Sequence, residues 1–125
     1  MPKYQPPIQD FMFVLYDLFE IDKTYKEIFS EYSKDVTEPI LIEAGKLASE
    51  VIALTNSTGD REGCKLTTDK VTTPEGFKEA FDLINEGEWP SLNCDPKFGG
   101  QGIPLTIATA VGEFFGSANV ALYIY

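Results

Sequence analysis

Residues 104–125 read PLTIATAVGEFFGSANVALYIY, and this stretch decides the fold. Its apolar residues recur at three- and four-residue spacing after Pro104, so it predicts a helix that runs to the end of the sequence. Glu113 is its only charged residue, and apolar side chains occupy every face. Because a helix that is apolar all round is buried on all sides, we expect it to pack in a small bundle. We also expect it to face a partner outside this chain, most simply a second copy.

A membrane span is the alternative for the same stretch, since its length approaches the ~20 residues that a span requires. Glu113 near the middle would cost roughly 2.5–3.5 kcal/mol in a bilayer, and several Ser, Thr and Asn residues lower the hydropathy. We therefore predict a buried helix and no membrane partner. Gly112 and Gly116 then mark points where another helix crosses closely.

Four upstream segments carry the periodicity of amphipathic helices. They are residues 8–20, 24–32, 37–55 and 74–87. Thr24 with Glu27 matches a capping box, Pro39 suits a first turn, and Thr73 before Pro74 suits a helix start. The prediction is an all-α fold, a small bundle of about five helices in one domain, residues 1–125.

Two segments lack periodicity. Residues 65–73 fit either a small hairpin around Asp69 and Lys70 or a plain loop, and the loop is favoured. Residues 90–104 hold three prolines and three glycines, which indicates an ordered or functional loop. Within it, residues 98–102 (FGGQG) lack the spacing and the lysine of a phosphate-binding loop. They can still present backbone N–H groups to a ligand, but a structural turn is the favoured interpretation.

Composition excludes several classes of protein. Twenty acidic against ten basic residues give a net charge of −10, so nucleic acid is a poor partner. The chain has no histidine, which excludes a Ser-His-Asp triad and histidine metal ligands. Cys64 and Cys94 make no C-x-x-C pair, so we predict no metal site. The two cysteines could form one disulfide, but the sequence shows no secretory start, so two thiols in a reducing, cytoplasmic compartment are favoured. Glu113 is interpreted as structural, which leaves no catalytic residue.

Several motifs resemble acyl-CoA dehydrogenases. Residues 95–104 (DPKFGGQGIP) are similar to the loop that this family carries as P-E-x-Y-G-G-x-G, with Phe98 where tyrosine is commoner. Residues 111–119 (VGEFFGSAN) are similar to the helix that follows. Residues 60–64, residues 72–77 and the additional N-terminal helix resemble the 3-(methylthio)propanoyl-CoA dehydrogenase branch.

The resemblance implies an N-terminal helical domain of a flavin-dependent oxidoreductase that dehydrogenates an acyl-CoA thioester between its α and β carbons, as in fatty acid metabolism. In the family a β-barrel and a C-terminal helical domain follow, with FAD between them; neither is expected within residues 1–125. The partners implied are acyl-CoA, those remaining domains and further copies in a homo-oligomer. This chain alone is expected to bind no FAD and to supply no catalytic base.

The role implied for this chain is part of the acyl-binding pocket together with inter-domain packing. The substrate-binding residues implied are Phe98, Gly99, Gly100, Gln101, Gly102, Leu122, Tyr123 and Tyr125. The alternative is a stand-alone helical interaction module without catalytic activity, which uses the apolar last helix to bind a partner.

Overall fold

The structure is a computed structural model that describes residues 3–124. Helices dominate it, which confirms the predicted all-α fold. In chain order the helices are α1 (Ile8–Met12, continued by the π-helical Phe13–Leu18), α2 (Ile21–Thr24), α3 (Lys26–Phe29), α4 (Lys34–Leu47, the π-helical Ala48–Ile52 and Ala53–Glu62), α5 (Phe77–Glu86), α6 (Leu105–Ala118) and α7 (Val120–Tyr123). Two 3₁₀ turns, Trp89–Ser91 and Pro96–Phe98, lie between α5 and α6.

The core lies where α1 and α6 pack against α4. The rings of Phe11 and Phe114 meet edge to face, with their centroids 5.0 Å apart. Each large side chain removed from water contributes about 1.5–3 kcal/mol. The largest apolar residues that are almost wholly buried are Met12, Leu41, Ile52, Ile107 and Phe114.

The expectation that α6 is apolar on every face is wrong. Thr109, Glu113 and Ser117 recur at four-residue spacing and form an exposed polar stripe. Phe114 is 0% exposed because other helices of the same chain cover it. Most of the apolar side of α6 is therefore buried within this chain, while Leu105 at its start remains 67% exposed.

The long helix α4 extends further at both ends than the predicted 37–55. It begins at Lys34, so Pro39 lies inside the helix rather than in its first turn. It continues to Glu62 and ends at Gly63, which takes φ +59°. Gly59 lies within this last part, where a Cβ would stand only 2.8 Å from the Phe77 ring. The turn-forming residues after 55 are thus kept helical by packing.

Two predicted helix starts are also wrong. The helical conformation is interrupted at Tyr25 (φ −122°, ψ 50°). The Thr24 hydroxyl donates to the Phe19 carbonyl at 3.3 Å instead of capping a helix. Helix α5 begins at Phe77 and not at Pro74, because Gly76 takes φ +84° and breaks the helical path. A residue in this left-handed region cannot continue a right-handed helix.

Residues 65–73 form a hairpin, so the favoured loop is a wrong prediction. Lys65–Leu66 pairs antiparallel with Val71–Thr72, and Leu66 stands opposite Val71. Both the N–H and the hydroxyl of Thr67 donate to the Lys70 carbonyl, at 2.9 and 3.0 Å. This local closure holds the short strands together.

Candidate functional site

The loop between α5 and α6 folds around Asp95. The Asp95 carboxylate accepts a hydrogen bond from the Lys97 N–H at 2.9 Å and caps the turn Pro96–Phe98. Gly99 then takes φ +84° and Gly102 takes φ +66°, a backbone region that favours glycine. A Cβ at Gly100 would overlap the Cys94 carbonyl. These glycines are therefore required by the path of the loop itself.

The backbone donors of the glycine loop (residues 98–102) are already used. Phe98 and Gly100 donate to Asp95 O, Gly99 donates to Pro96 O, Gln101 donates to Ser91 O and Gly102 donates to Cys94 O, at 2.9–3.3 Å. A phosphate cradle needs N–H groups that point at the ligand. The structural-turn interpretation therefore describes the backbone, whose N–H groups are not available to a ligand.

Two side chains of the glycine loop face outward. Phe98 is 80% exposed, and the ammonium group of Lys97 lies 4.9 Å from its ring centroid. Gln101 is exposed as well. A cation over an aromatic face is a modest attraction at an exposed site, so Lys97 holds the Phe98 ring only weakly.

The predicted last helix is broken at Asn119. This residue has an extended backbone (φ −159°, ψ 98°) and separates α6 from the short α7. Its Oδ1 atom accepts from the Leu122 N–H at 3.2 Å, and its amide nitrogen donates to Thr55 Oγ1 at 2.9 Å. One continuous helix over residues 104–125 is therefore a wrong prediction. The cause is a buried partner that stands 64 residues away in the sequence.

The break folds Tyr123 back onto α6. A Cβ at Gly112 would stand 2.5 Å from the Tyr123 hydroxyl, and one at Gly116 would stand 3.3 Å from its ring. The absence of a side chain at Gly112 and at Gly116 thus makes room for the Tyr123 ring. The small-residue pair predicted to meet another helix meets the aromatic ring of α7 instead.

Leu122 and Tyr123 line two different clefts. Tyr123 borders a cleft of about 340 Å³, here called the Trp89 cleft, whose wall includes Trp89, Leu105, Ala108, Thr109 and Phe115. Trp89 and Phe115 meet edge to face there, with their centroids 5.7 Å apart. Leu122, which is 5% exposed, borders a nearly apolar cleft of about 320 Å³ with Phe77 and Phe81.

The structure does not bring all the predicted site residues together. Within residues 3–124, the glycine loop borders neither of these two clefts. Tyr125 lies outside the described residues. From the sequence Trp89 is only a core or rim aromatic, and its place in a cleft follows from the 3₁₀ turn at Trp89–Ser91. The sequence distinguishes Asn119 only by its polarity, although an amide in an apolar run is itself a signal.

The electrostatics of α6 are mild. Glu113 is exposed. Burial raises the pKa of Tyr4, and the nearby Glu113 carboxylate raises it further.

Among residues 3–124, no cluster of His, Cys, Asp and Glu side chains is able to hold a metal ion. In the same range no helix has both the length and the hydropathy needed to cross a membrane.

Comparison with known proteins identifies acyl-CoA dehydrogenases as the class that this chain resembles. No family model matches the chain. The 3-methylmercaptopropionyl-CoA dehydrogenase of Ruegeria pomeroyi is 33% identical over 119 residues, which cover 94% of this chain and 20% of that protein. The broad-specificity linear acyl-CoA dehydrogenase FadE5 of Mycobacterium tuberculosis is 28% identical over 128 residues, which cover 100% of this chain and 21% of that protein.

The predicted resemblance is therefore confirmed, including the branch that the motifs indicated. The chain spans about a fifth of the length of these two relatives.

Proposed function

We propose that this chain is the N-terminal helical domain of a flavin-dependent acyl-CoA dehydrogenase, where it forms part of the acyl-binding pocket and packs against the remaining domains. The observation that carries the proposal is similarity to two acyl-CoA dehydrogenases over 94–100% of the chain. One relative is named for a short thioether acyl group and the other for linear acyl groups. The substrate class is accordingly an acyl-CoA thioester with an unbranched tail.

The Trp89 cleft is the part of the chain that we assign to the acyl tail. Its volume of about 340 Å³ is at the small end of ligand pockets. Aromatic rings of Trp89, Phe115 and Tyr123 and the side chains of Leu105 and Ala108 supply the apolar wall. Burial of an apolar tail there is favourable by about 0.8 kcal/mol for each CH₂ group. The glycine loop does not border the Trp89 cleft. Phe98 and Gln101 therefore contribute to the same substrate channel only if other domains extend that channel over the glycine loop.

FAD does not fit the glycine-rich segment of this chain. A flavin dinucleotide carries a pyrophosphate, and the backbone donors that would bind it are used within the loop. The flavin and the catalytic base are therefore expected in other domains of a longer protein.

Inter-domain packing falls to apolar residues near the end of the described chain. Val120 and Ile124 are 62% and 77% exposed. The expected homo-oligomer would use these residues rather than the buried Phe114 and Leu122. The compartment proposed is cytoplasmic, since Cys64 and Cys94 are exposed thiols.

The test uses the protein encoded by the complete reading frame that contains these 125 codons. Acyl-CoA-dependent reduction of a dye is measured for the unmodified protein, for Tyr123→Ala and for the control Leu66→Ala. Tyr123 borders the Trp89 cleft, whereas Leu66 lies on the hairpin and is 82% exposed. We expect Tyr123→Ala to raise KM about tenfold, the effect of losing roughly 1.4 kcal/mol of binding, and Leu66→Ala to leave KM unchanged. A protein without acyl-CoA oxidation refutes the proposal and favours the interaction module.

A further inference from the structure

The side chain of Asn119 makes two hydrogen bonds with opposite ends of one amide. Its oxygen accepts from the Leu122 N–H, which caps the first turn of α7, and its nitrogen donates to Thr55 Oγ1. The Thr55 hydroxyl donates in turn to the Ile52 carbonyl at 2.7 Å, so its lone pairs face Asn119. This chain of bonds fixes which end of the amide points to α7.

Both residues lie in the interior, where an unsatisfied polar group is costly. Asn119 is 2% exposed and Thr55 is 7% exposed. Leaving one buried donor unpaired costs about 1–3 kcal/mol. The extended backbone at Asn119 is therefore held in place by a bond to α4 and not by the local sequence alone.

The position of Tyr123 depends on this break. In an uninterrupted helix, residue 123 would stand seven residues beyond Gly116, about 10 Å further along the axis. In the structure the Tyr123 ring lies against both Gly112 and Gly116. Only the change of direction at Asn119 brings the ring back over α6 to form a wall of the Trp89 cleft.

We propose that Asn119 is the positioning residue of the Trp89 cleft: its hydrogen bond to Thr55 holds the break that lays Tyr123 against Gly112 and Gly116. The ligand of the cleft, an acyl tail, rests on the proposed function above. The geometry of the break at Asn119 does not rest on that proposed function, so the geometry and the ligand are tested separately.

The geometric test uses NMR of the 125-residue chain. Thr55→Val keeps the volume of the side chain but removes the acceptor for Asn119, and Thr55→Ser restores a hydroxyl. We expect nuclear Overhauser effects between the Tyr123 ring and the Gly112 and Gly116 α protons to disappear in Thr55→Val and to remain in Thr55→Ser. A role in stability alone would lower the unfolding midpoint of Thr55→Val and leave these Overhauser effects unchanged below it.

Asn119→Ser is the second variant, because serine can still cap α7 but is too short to reach Thr55. Displacement of the Tyr123 ring from the two glycines in either folded variant supports the proposal, and an unmoved ring in both overturns it. The functional arm measures KM and kcat for acyl-CoA in the protein from the complete reading frame. For a variant with a displaced Tyr123 ring, a KM raised about tenfold at unchanged kcat supports the acyl-binding role as well, while an unchanged KM refutes that role only.

Discussion

Gly100→Ala tests whether the glycine loop is a self-satisfied structural turn. Gly100 lies against the backbone of Cys94, where an added Cβ would overlap the carbonyl oxygen and carbon. Backbone atoms cannot rotate away as the end of a flexible side chain can. The substitution must therefore push the two sides of the loop apart.

The size of the effect follows from the bonds that cross the loop. The Cys94 carbonyl accepts from the Gly102 N–H at 2.9 Å, and the Gly100 N–H donates to Asp95 O at 3.3 Å. Two hydrogen bonds at about 0.5–1.5 kcal/mol each, with about 1–3 kcal/mol of overpacking strain, give a loss of about 2–6 kcal/mol, with a midpoint of about 4 kcal/mol. For a domain of this size that lowers Tm by roughly 10 °C or more.

Gly99→Ala is the matched control. Gly99 takes φ +84°, but nothing lies within 4 Å of an added Cβ. Its cost is the left-handed backbone alone, about 1–2 kcal/mol. Urea denaturation followed by circular dichroism measures both variants. A Gly100→Ala protein as stable as the unmodified chain, or less destabilised than Gly99→Ala, would refute the described loop.

Three further predictions concern the core, the pH dependence and the flavin. Phe114→Glu should unfold the chain by placing a charge at a 0% exposed site, whereas Leu105→Glu at a 67% exposed site should leave the circular dichroism spectrum unchanged; a folded Phe114→Glu monomer would contradict the packing. Tyr16→Phe should cost about 1–3 kcal/mol, because the Tyr16 hydroxyl donates to the Tyr32 carbonyl at 2.8 Å and contacts Thr37 Oγ1. Burial raises the pKa of Tyr16 above 10.0, so the free energy of unfolding should fall above about pH 10 as the unfolded tyrosine ionises first, and Tyr16→Phe should flatten that fall in denaturant titrations across this range. The isolated 125-residue chain should purify colourless and should not oxidise acyl-CoA, so a visible flavin band in the purified chain would refute the assignment of the flavin to other domains.

Helices are predictable from the sequence where their apolar spacing is regular and local. The central parts of α1, α4, α5 and α6 all follow such spacing. Helix ends are not predictable in this way, because they depend on contacts made elsewhere. Gly59 stays helical because it packs against the Phe77 ring. Gly76 takes a positive φ directly before α5 and so sets the start of that helix, and the sequence does not reveal this conformation.

The candidate site is predictable only in part, for a similar reason. Motif resemblance indicates Leu122 and Tyr123, but not that they face different clefts. That separation follows from the break at Asn119, and the break needs Thr55 on another helix. Thr109, Glu113 and Ser117 form a polar stripe that can be recognised in the sequence by its four-residue spacing. Hydropathy alone does not reveal it, because threonine and serine are only weakly polar on that scale.

The visible absorbance of the protein made from the complete reading frame tests the central claim most directly. If this chain is the helical domain of a flavin-dependent acyl-CoA dehydrogenase, the purified protein will show a flavin band, and anaerobic addition of a linear acyl-CoA will bleach it as the flavin is reduced. CoA without an acyl group is the control and should leave the band unchanged. A colourless protein, or a flavin band that acyl-CoA does not bleach, would contradict the account.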